Sequence, residues 1–210
     1  MNRPPFFIGE TMEHALEMIV DKRSLHYFFS LFQKGVGIKI STGGNLRDLL
    51  TLTLKIPSDY VENRIQTIFL DGKAVDNPEE AFVREGSTLA LSAAMPGLVG
   101  ATLRRSGAFS SLRRAITLSE EEEPGPKKEG RIILKLFNLL VPELAPSLLI
   151  RGVLLKGNEL NKFLEGLPDL FWGDCREAFY MGRRVESPFQ ATDLVVERDT
   201  LTLLKVVSGR

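Results

Sequence analysis

The stretch Thr67-Ile68-Phe69-Leu70-Asp71-Gly72-Lys73-Ala74-Val75 decides the fold class, because it joins two short β-rich runs through a tight turn. An Asp-Gly pair between such runs is a strong local signal for a two-residue hairpin turn. The second half of the chain contains a similar stretch, Phe179-Tyr180-Met181-Gly182-Arg183-Arg184-Val185. Both stretches therefore predict a strand, a turn and a second strand.

A helix is predicted ahead of each of these hairpins. The apolar positions that open the two helices are Leu46, Leu49 and Leu50 in the first half and Leu160, Phe163 and Leu164 in the second. Asn45 is a suitable N-cap, and Asp48 lies in the first turn, where the helix dipole favours a negative charge. Asn158 and Glu159 supply the same polarity in the second half.

Further β-rich runs complete each half. Residues 26–32 and 36–40 predict a hairpin around the glycine-containing turn 33–35, and residues 132–140 and 147–155 predict its counterpart around a longer turn with Pro142 and Pro146. Each half then ends on a predicted strand, at 88–91 and at 200–203. The shared order predicts a duplicated small mixed sheet packed on one helix, in the α+β class, with chance similarity of two α+β domains as the alternative.

Composition separates the halves. Residues 119–130 hold four consecutive glutamates and a Pro-Gly-Pro, with nothing apolar to bury, and predict a linker. A solvated loop inside one domain is the alternative. Near the N-terminus, Met12, Ala15, Leu16 and Ile19 share one helical face of residues 9–21, which predicts an appended helix.

Residues 67–75, followed by Arg84-Glu85-Gly86-Ser87-Thr88-Leu89-Ala90-Leu91 and Pro96-Gly97, resemble the ubiquitin-like β-grasp sulfur carriers of the MoaD/ThiS type. In that family, a helix similar to Gly44-Asn45-Leu46-Arg47-Asp48-Leu49-Leu50 precedes a strand with an Asn/Asp-Gly turn. The resemblance covers about residues 25 to 100 and, more weakly, 131 to 210. The resemblance implies a β-grasp domain at 24–118 and a divergent one at 131–210. The patterns described above and the basic segment described below add an N-terminal helical extension at 1–23, a basic helix at the end of the first domain and the linker at 119–130.

The chain departs from this family at the tail that carries its chemistry. A carrier of that kind is activated at the free carboxylate of a terminal Gly-Gly, whereas here the chain continues beyond Gly97 and ends as Gly209-Arg210. We therefore expect a non-catalytic, ubiquitin-like module that binds a protein partner through a sheet face or edge. The candidate contact residues are Met95, Pro96, Gly97, Leu98, Val99 and Gly100. An adenylating or sulfur-transfer enzyme is one candidate partner.

Two other functions remain open. Proteolysis after Gly97, Gly100 or Gly209 would create a sulfur carrier for molybdopterin-type or thiamine-type sulfur transfer. Alternatively, a basic segment with Phe109, Leu112 and Ile116 at helical spacing predicts either a connecting helix or a binder of anionic surfaces. The arginines of this basic patch are Arg104, Arg105, Arg113 and Arg114. Nucleic-acid binding is not expected, because no stacking aromatic residues are interleaved with them.

Composition and isolated residues exclude several classes of site. The 27 basic and 27 acidic residues cancel, as in an ordinary globular protein. The single cysteine, Cys175, rules out an intramolecular disulfide and suits a reducing cytoplasm. It is expected to enter a buried strand, although Arg176 beside it leaves a reactive thiol as the alternative. His14 and His26 lack spaced metal-ligating partners, so we expect no metal. Motifs for a nucleophile elbow, a phosphate loop or a dinucleotide site are missing from the sequence, so we expect no cofactor and no catalytic residues. The run from Gly86 to Leu103 contains Pro96 and is shorter than a bilayer span, so we expect no transmembrane segment.

Overall fold

A computed structural model describes residues 14–94, 97–105, 107, 128–186 and 190–209. The chain forms two compact units, one made of residues 26–148 and the other of residues 1–25 together with 149–210. We call them the continuous unit and the split unit. Each contains strands and helices, so the predicted α+β class is confirmed. Their limits differ from the domain limits of 24–118 and 131–210 expected from the sequence.

The continuous unit contains a five-stranded mixed sheet. Its strands are β2 (Val36–Ser41), β3 (Thr67–Leu70), β4 (Lys73–Ala74), β5 (Thr88–Ser92) and β6 (Glu129–Phe137). Their order is β4-β3-β5-β6-β2, with β5 and β6 parallel and the other neighbours antiparallel. The helices are α1 (Phe29–Lys34), α2 (Leu46–Asp48) continuing as a π-helical turn (Leu49–Thr53), α3 (Ser58–Asn63), α4 (Gly97–Leu103) and most of α5 (Leu140–Arg151).

The split unit has a sheet with the same pattern of directions. Its strands are β1 (His14–Asp21), β7 (Val153–Lys156), β8 (Cys175–Tyr180), β9 (Arg183–Arg184) and β10 (Leu201–Gly209). Their order is β7-β10-β1-β8-β9, with β1 and β10 parallel and the other neighbours antiparallel. Its helices are α6 (Gly157–Glu165) and α7 (Asp169–Asp174), and short 3-10 helices cover Lys22–Phe28 and Ala191–Leu194.

The two predicted strand-turn-strand motifs are confirmed. Asp71 and Gly72 have φ of 51° and 79°, and Met181 and Gly182 have 51° and 72°, as a type I′ turn requires. The registers also correspond, since Phe69 pairs with Ala74 and Phe179 with Arg184. The predicted N-cap is confirmed as well, because the side chain of Asn45 accepts a hydrogen bond from the backbone N–H of Asp48 at 2.8 Å.

The N-terminal prediction was wrong for the residues that the structure describes. His14–Asp21 form a strand rather than a helix, and residues 9–13 lie outside the described part of the chain. Leu16, Met18 and Val20 are all 1% exposed or less, which is the alternation of a strand and not the spacing of a helix. β1 lies between β8 and β10, so it is a central element of its sheet.

The hairpins predicted for residues 26–40 and 132–155 were also wrong. Residues 26–32 are helical, and β2 pairs with β6, about ninety residues further along the chain. Phe28, Leu31 and Phe32 are buried at intervals of three and four residues, so helical spacing outweighs their β propensity. In the second half, residues 147–151 belong to α5, and the strands on its two sides, β6 and β7, lie in different units.

The predicted turn with Pro142 and Pro146 and the predicted linker at 119–130 also differ from the structure. Pro142 is the third residue of α5, where no intrahelical partner for the missing N–H is needed, and the helix continues through Pro146. The predicted linker ends early, because Glu129 and Gly130 already pair with Ser41 and Ile40 in the sheet. Residues 119–127 lie outside the described part of the chain.

Candidate functional site

The segment predicted to contact a partner begins a helix. Gly97–Leu103 form α4, with Gly97 exposed and Gly100 buried. Met95 and Pro96, and the side chains of Leu98 and Val99, lie outside what the structure describes. Of the glycines at which processing was considered, Gly97 and Gly100 lie in α4, and Gly209 pairs with Asp21 in the sheet.

The predicted basic patch is only partly described, and Arg105 does not belong to an open cationic surface. Its guanidinium Nη2 donates to the backbone carbonyl of Val61 at 2.6 Å, and its backbone N–H donates to that of Gln66 at 2.8 Å. Burial lowers the pKa of Arg105. Arg105 therefore anchors the chain after α4 onto α3. Arg104 is exposed, and Arg113 and Arg114 lie outside the described residues.

Cys175 is the first residue of β8 and is buried, which confirms the strand placement. Burial raises the pKa of its thiol to about 11, so the nucleophilic thiolate is scarce near neutral pH. Arg176 is directed to Asp21, with 3.5 Å between guanidinium nitrogen and carboxylate oxygen. This arrangement is that of a packed thiol and not of an activated one.

The two histidines lie in different surroundings. His14 contacts the hydroxyl of Tyr180 at 2.9 Å through Nδ1, and its Nε2 lies 3.7 Å from a carboxylate oxygen of Glu197. The ring of His26 lies against that of Tyr27 at a tilt of 34°, with 4.1 Å between the ring centroids. Within the described residues, no group of three or more His, Cys, Asp or Glu side chains is placed to hold a metal ion.

The outward face of the continuous unit's sheet carries an exposed apolar cluster. Successive side chains of a strand point to opposite faces, so Leu134 and Leu136 of β6 are buried while Ile133 and Phe137 are exposed. We call five residues of this outward face the outer patch: Phe69 of β3, Ala90 of β5, and Ile133, Lys135 and Phe137 of β6. Ile133 is 42% and Phe137 38% exposed, and the other three are half-buried.

The sheet holds this patch in a fixed register. Phe69, Ala90 and Lys135 form one row across three strands, because Phe69 pairs with Ala90 and Ala90 with Lys135. At the end of β6, Asn138 donates from its side-chain amide to the hydroxyl of Ser92 at 2.9 Å and so fixes the position after Phe137. The patch is therefore preorganised before any partner binds.

A glycine borders the patch. A Cβ on Gly35 would lie 2.8 Å from Cγ2 of Ile133 and 3.2 Å from Cε of Lys135. The residue also has a φ of +120°, which side-chain-bearing residues rarely adopt. Gly35 therefore leaves the space that Ile133 and Lys135 occupy.

The split unit has a corresponding outward face. Its row consists of Phe179, Glu17 and Lys205, and the neighbouring pair is Ile19 and Val207, of which Val207 is 42% exposed. A glycine again borders the face, since a Cβ on Gly152 would lie 2.8 Å from Cδ1 of Leu203 and 3.1 Å from Cγ of Lys205. Lys205 thus corresponds to Lys135 by its position in the sheet.

None of these surface residues follows from reading local motifs. In Ile132-Ile133-Leu134-Lys135-Leu136-Phe137 both alternating sets of positions contain large apolar residues, so the sequence does not say how far each face is covered. No helix among the described residues is long and apolar enough to cross a bilayer. Comparison of the chain with family models, with curated proteins and with solved structures finds no match.

Proposed function

We propose that this chain is a non-catalytic protein-interaction module built from two β-grasp-like units, and that it binds a partner protein through the outer patch. The architecture is supported by the shared order of elements in the units. In each, a strand antiparallel to one of two parallel strands (β2 or β7) leads into helices and then a type I′ hairpin. The likeness of residues 67–91 to ubiquitin-like sulfur carriers supports the same assignment.

The observation that carries the proposal is the exposure of Ile133 and Phe137 on a hydrogen-bonded sheet. Full burial of a large apolar side chain stabilises by about 1.5–3 kcal/mol relative to leaving it in water. Part of this free energy remains available to a partner that covers both side chains. Because the strands are already ordered, little conformational entropy is lost when the partner binds.

The charged groups support a non-catalytic role. The carboxylate of Glu143 in α5 accepts hydrogen bonds from Arg64, the residue after α3, and from Tyr60 of α3, and these lower its pKa. Asp174 in α7 accepts hydrogen bonds from the side chains of Arg23 and Ser24, which lower its pKa as well. Both shifts favour a permanently charged group that joins secondary-structure elements, rather than one that exchanges protons near neutral pH.

Site-specific photo-cross-linking of the full chain in its own host cells tests the proposal. A photoreactive amino acid replaces Ile133 in one variant, Phe137 in a second, and Leu52 in a matched control. Leu52 belongs to the same unit and is 70% exposed, but it lies in the π-helical turn Leu49–Thr53 and not on the sheet. We expect the same protein adduct from positions 133 and 137 and none from position 52. Absence of an adduct at 133 and 137, or an identical adduct at 52, would refute the proposal.

A further inference from the structure

Lys135 and Lys205 occupy corresponding places but have different neighbours. Lys135 lies on β6, which pairs with β2, and Lys205 lies on β10, which pairs with β7. Each lysine is close to the glycine that precedes β2 or β7, Gly35 or Gly152. Across the parallel pair, Lys205 has Glu17 as its register partner, whereas Lys135 has Ala90. The carboxylate residue Glu17 therefore stands beside Lys205 in the split unit, whereas Ala90, with only a methyl side chain, stands beside Lys135 in the continuous unit.

Lys135 differs from Lys205 in the charges of the described residues around it. Among the described residues, no carboxylate forms an ion pair with Lys135. The other members of the outer patch, Phe69, Ala90, Ile133 and Phe137, are uncharged. The next outward-facing residue of β6, Arg131, adds a further positive charge, and Glu85 lies 3.7 Å from that guanidinium.

A partner that covers the apolar residues must also meet this ammonium group. Lys135 lies between Ile133 and Phe137 on the same face of one strand, so a surface that contacts both side chains reaches the lysine as well. Removing an ammonium group from water without a compensating partner is costly. A carboxylate of the partner offsets that cost and also steers the encounter.

We infer that the outer patch selects a protein segment in which an aspartate or glutamate stands among apolar side chains. In this complex, the ammonium group of Lys135 pairs with that carboxylate. This inference rests on the proposed function and names the chemistry of the partner at that site. The corresponding face of the split unit does not select in this way, because Glu17 already stands beside Lys205.

Selection from a random-peptide library displayed on phage, with the full chain as bait, provides the probe. The selected peptides are synthesised with their acid intact and with that acid replaced by Gln or Asn. Affinities are then measured for the wild-type chain and for Lys135→Met, Lys135→Glu and Ile133→Asp. Lys162→Glu is the matched control, because Lys162 is exposed on α6 and its substitution changes the net charge by the same amount as Lys135→Glu.

We expect acidic, apolar peptides whose binding weakens about tenfold with Lys135→Met and more with Lys135→Glu. Removing the peptide's acid should cost the same factor on the wild-type chain and almost nothing on Lys135→Met, so the two changes are coupled. Lys162→Glu should have no effect. Peptides that are lost on Ile133→Asp but show no coupling to Lys135 would overturn this inference and leave the proposed function intact. If no peptide is sensitive to Ile133→Asp, both fail.

Discussion

Replacement of Met18 by alanine tests the position of β1, because strand and helix place this residue differently. In the structure Met18 is 1% exposed and pairs with Val206 of β10 and Ala178 of β8. The helical face first expected from the sequence holds Ala15, Leu16 and Ile19 and leaves Met18 outside it. The two arrangements therefore rank Met18 and Ile19 in opposite order.

Met18→Ala removes three buried side-chain atoms from the centre of a sheet, and such changes cost about 2–5 kcal/mol. We expect a loss of about 3 kcal/mol in the free energy of unfolding, a large share of the roughly 5–15 kcal/mol that a domain has. Ile19 is half-buried on the outward face, so Ile19→Ala should cost about 1 kcal/mol. Denaturant unfolding measures both values. Hydrogen exchange should show the lost protection in β8 and β10 for Met18→Ala. A larger cost for Ile19→Ala than for Met18→Ala would refute the strand.

Three further outcomes are expected. A Cβ at Gly157 would overlap the backbone carbonyl oxygen of Glu197, so Gly157→Ala should destabilise the chain by about 3 kcal/mol. A Cβ at Gly173 would have nothing within 4 Å, so Gly173→Ala should be neutral or stabilising by less than about 1 kcal/mol. Equal melting temperatures for the two variants would contradict this. Because burial raises the pKa of Cys175 to about 11, iodoacetamide at pH 8 should label it only after unfolding, and rapid labelling of the native chain, followed by mass spectrometry, would be the contrary result. Arg64 and Tyr60 hold the pKa of Glu143 below its ordinary value of 4.5, so this carboxylate stabilises the fold above that pH and the contribution is lost as the pH falls through the lowered value. Glu143→Gln should therefore flatten the acid limb of a stability–pH curve, and coincident curves for variant and wild type would count against the ion pair.

Local chemistry was sufficient for some structures that depend on a few adjacent residues, although not for the hairpin predicted at residues 26–40. The hairpin at Asp71-Gly72 follows from a dipeptide that tolerates positive φ, and the helix at Leu46 follows from the side-chain oxygen of Asn45. Cys175 could be placed in a buried strand because an isolated thiol behaves as a small apolar side chain. In contrast, the outer patch combines residues from three strands that are up to 68 positions apart, from Phe69 to Phe137. No local pattern indicates that these residues share a face.

The sequence by itself predicted the α+β class, the two strand-turn-strand motifs and the N-cap at Asn45, because each rests on a pattern within a few residues, whereas the positive φ of Met181 is known only from the structure. Only the tertiary structure decided which strands are neighbours. β2 pairs with β6 and not with the residues just before it, and the place beside the hairpin strand is taken by β5 in one unit and by β1 in the other. β1 and β10 both present apolar residues at alternate positions, so either satisfies the core face of a sheet. The choice between them depends on packing and hydrogen bonding over the whole unit, and this is why a chain segment that reads as a surface helix becomes a central strand.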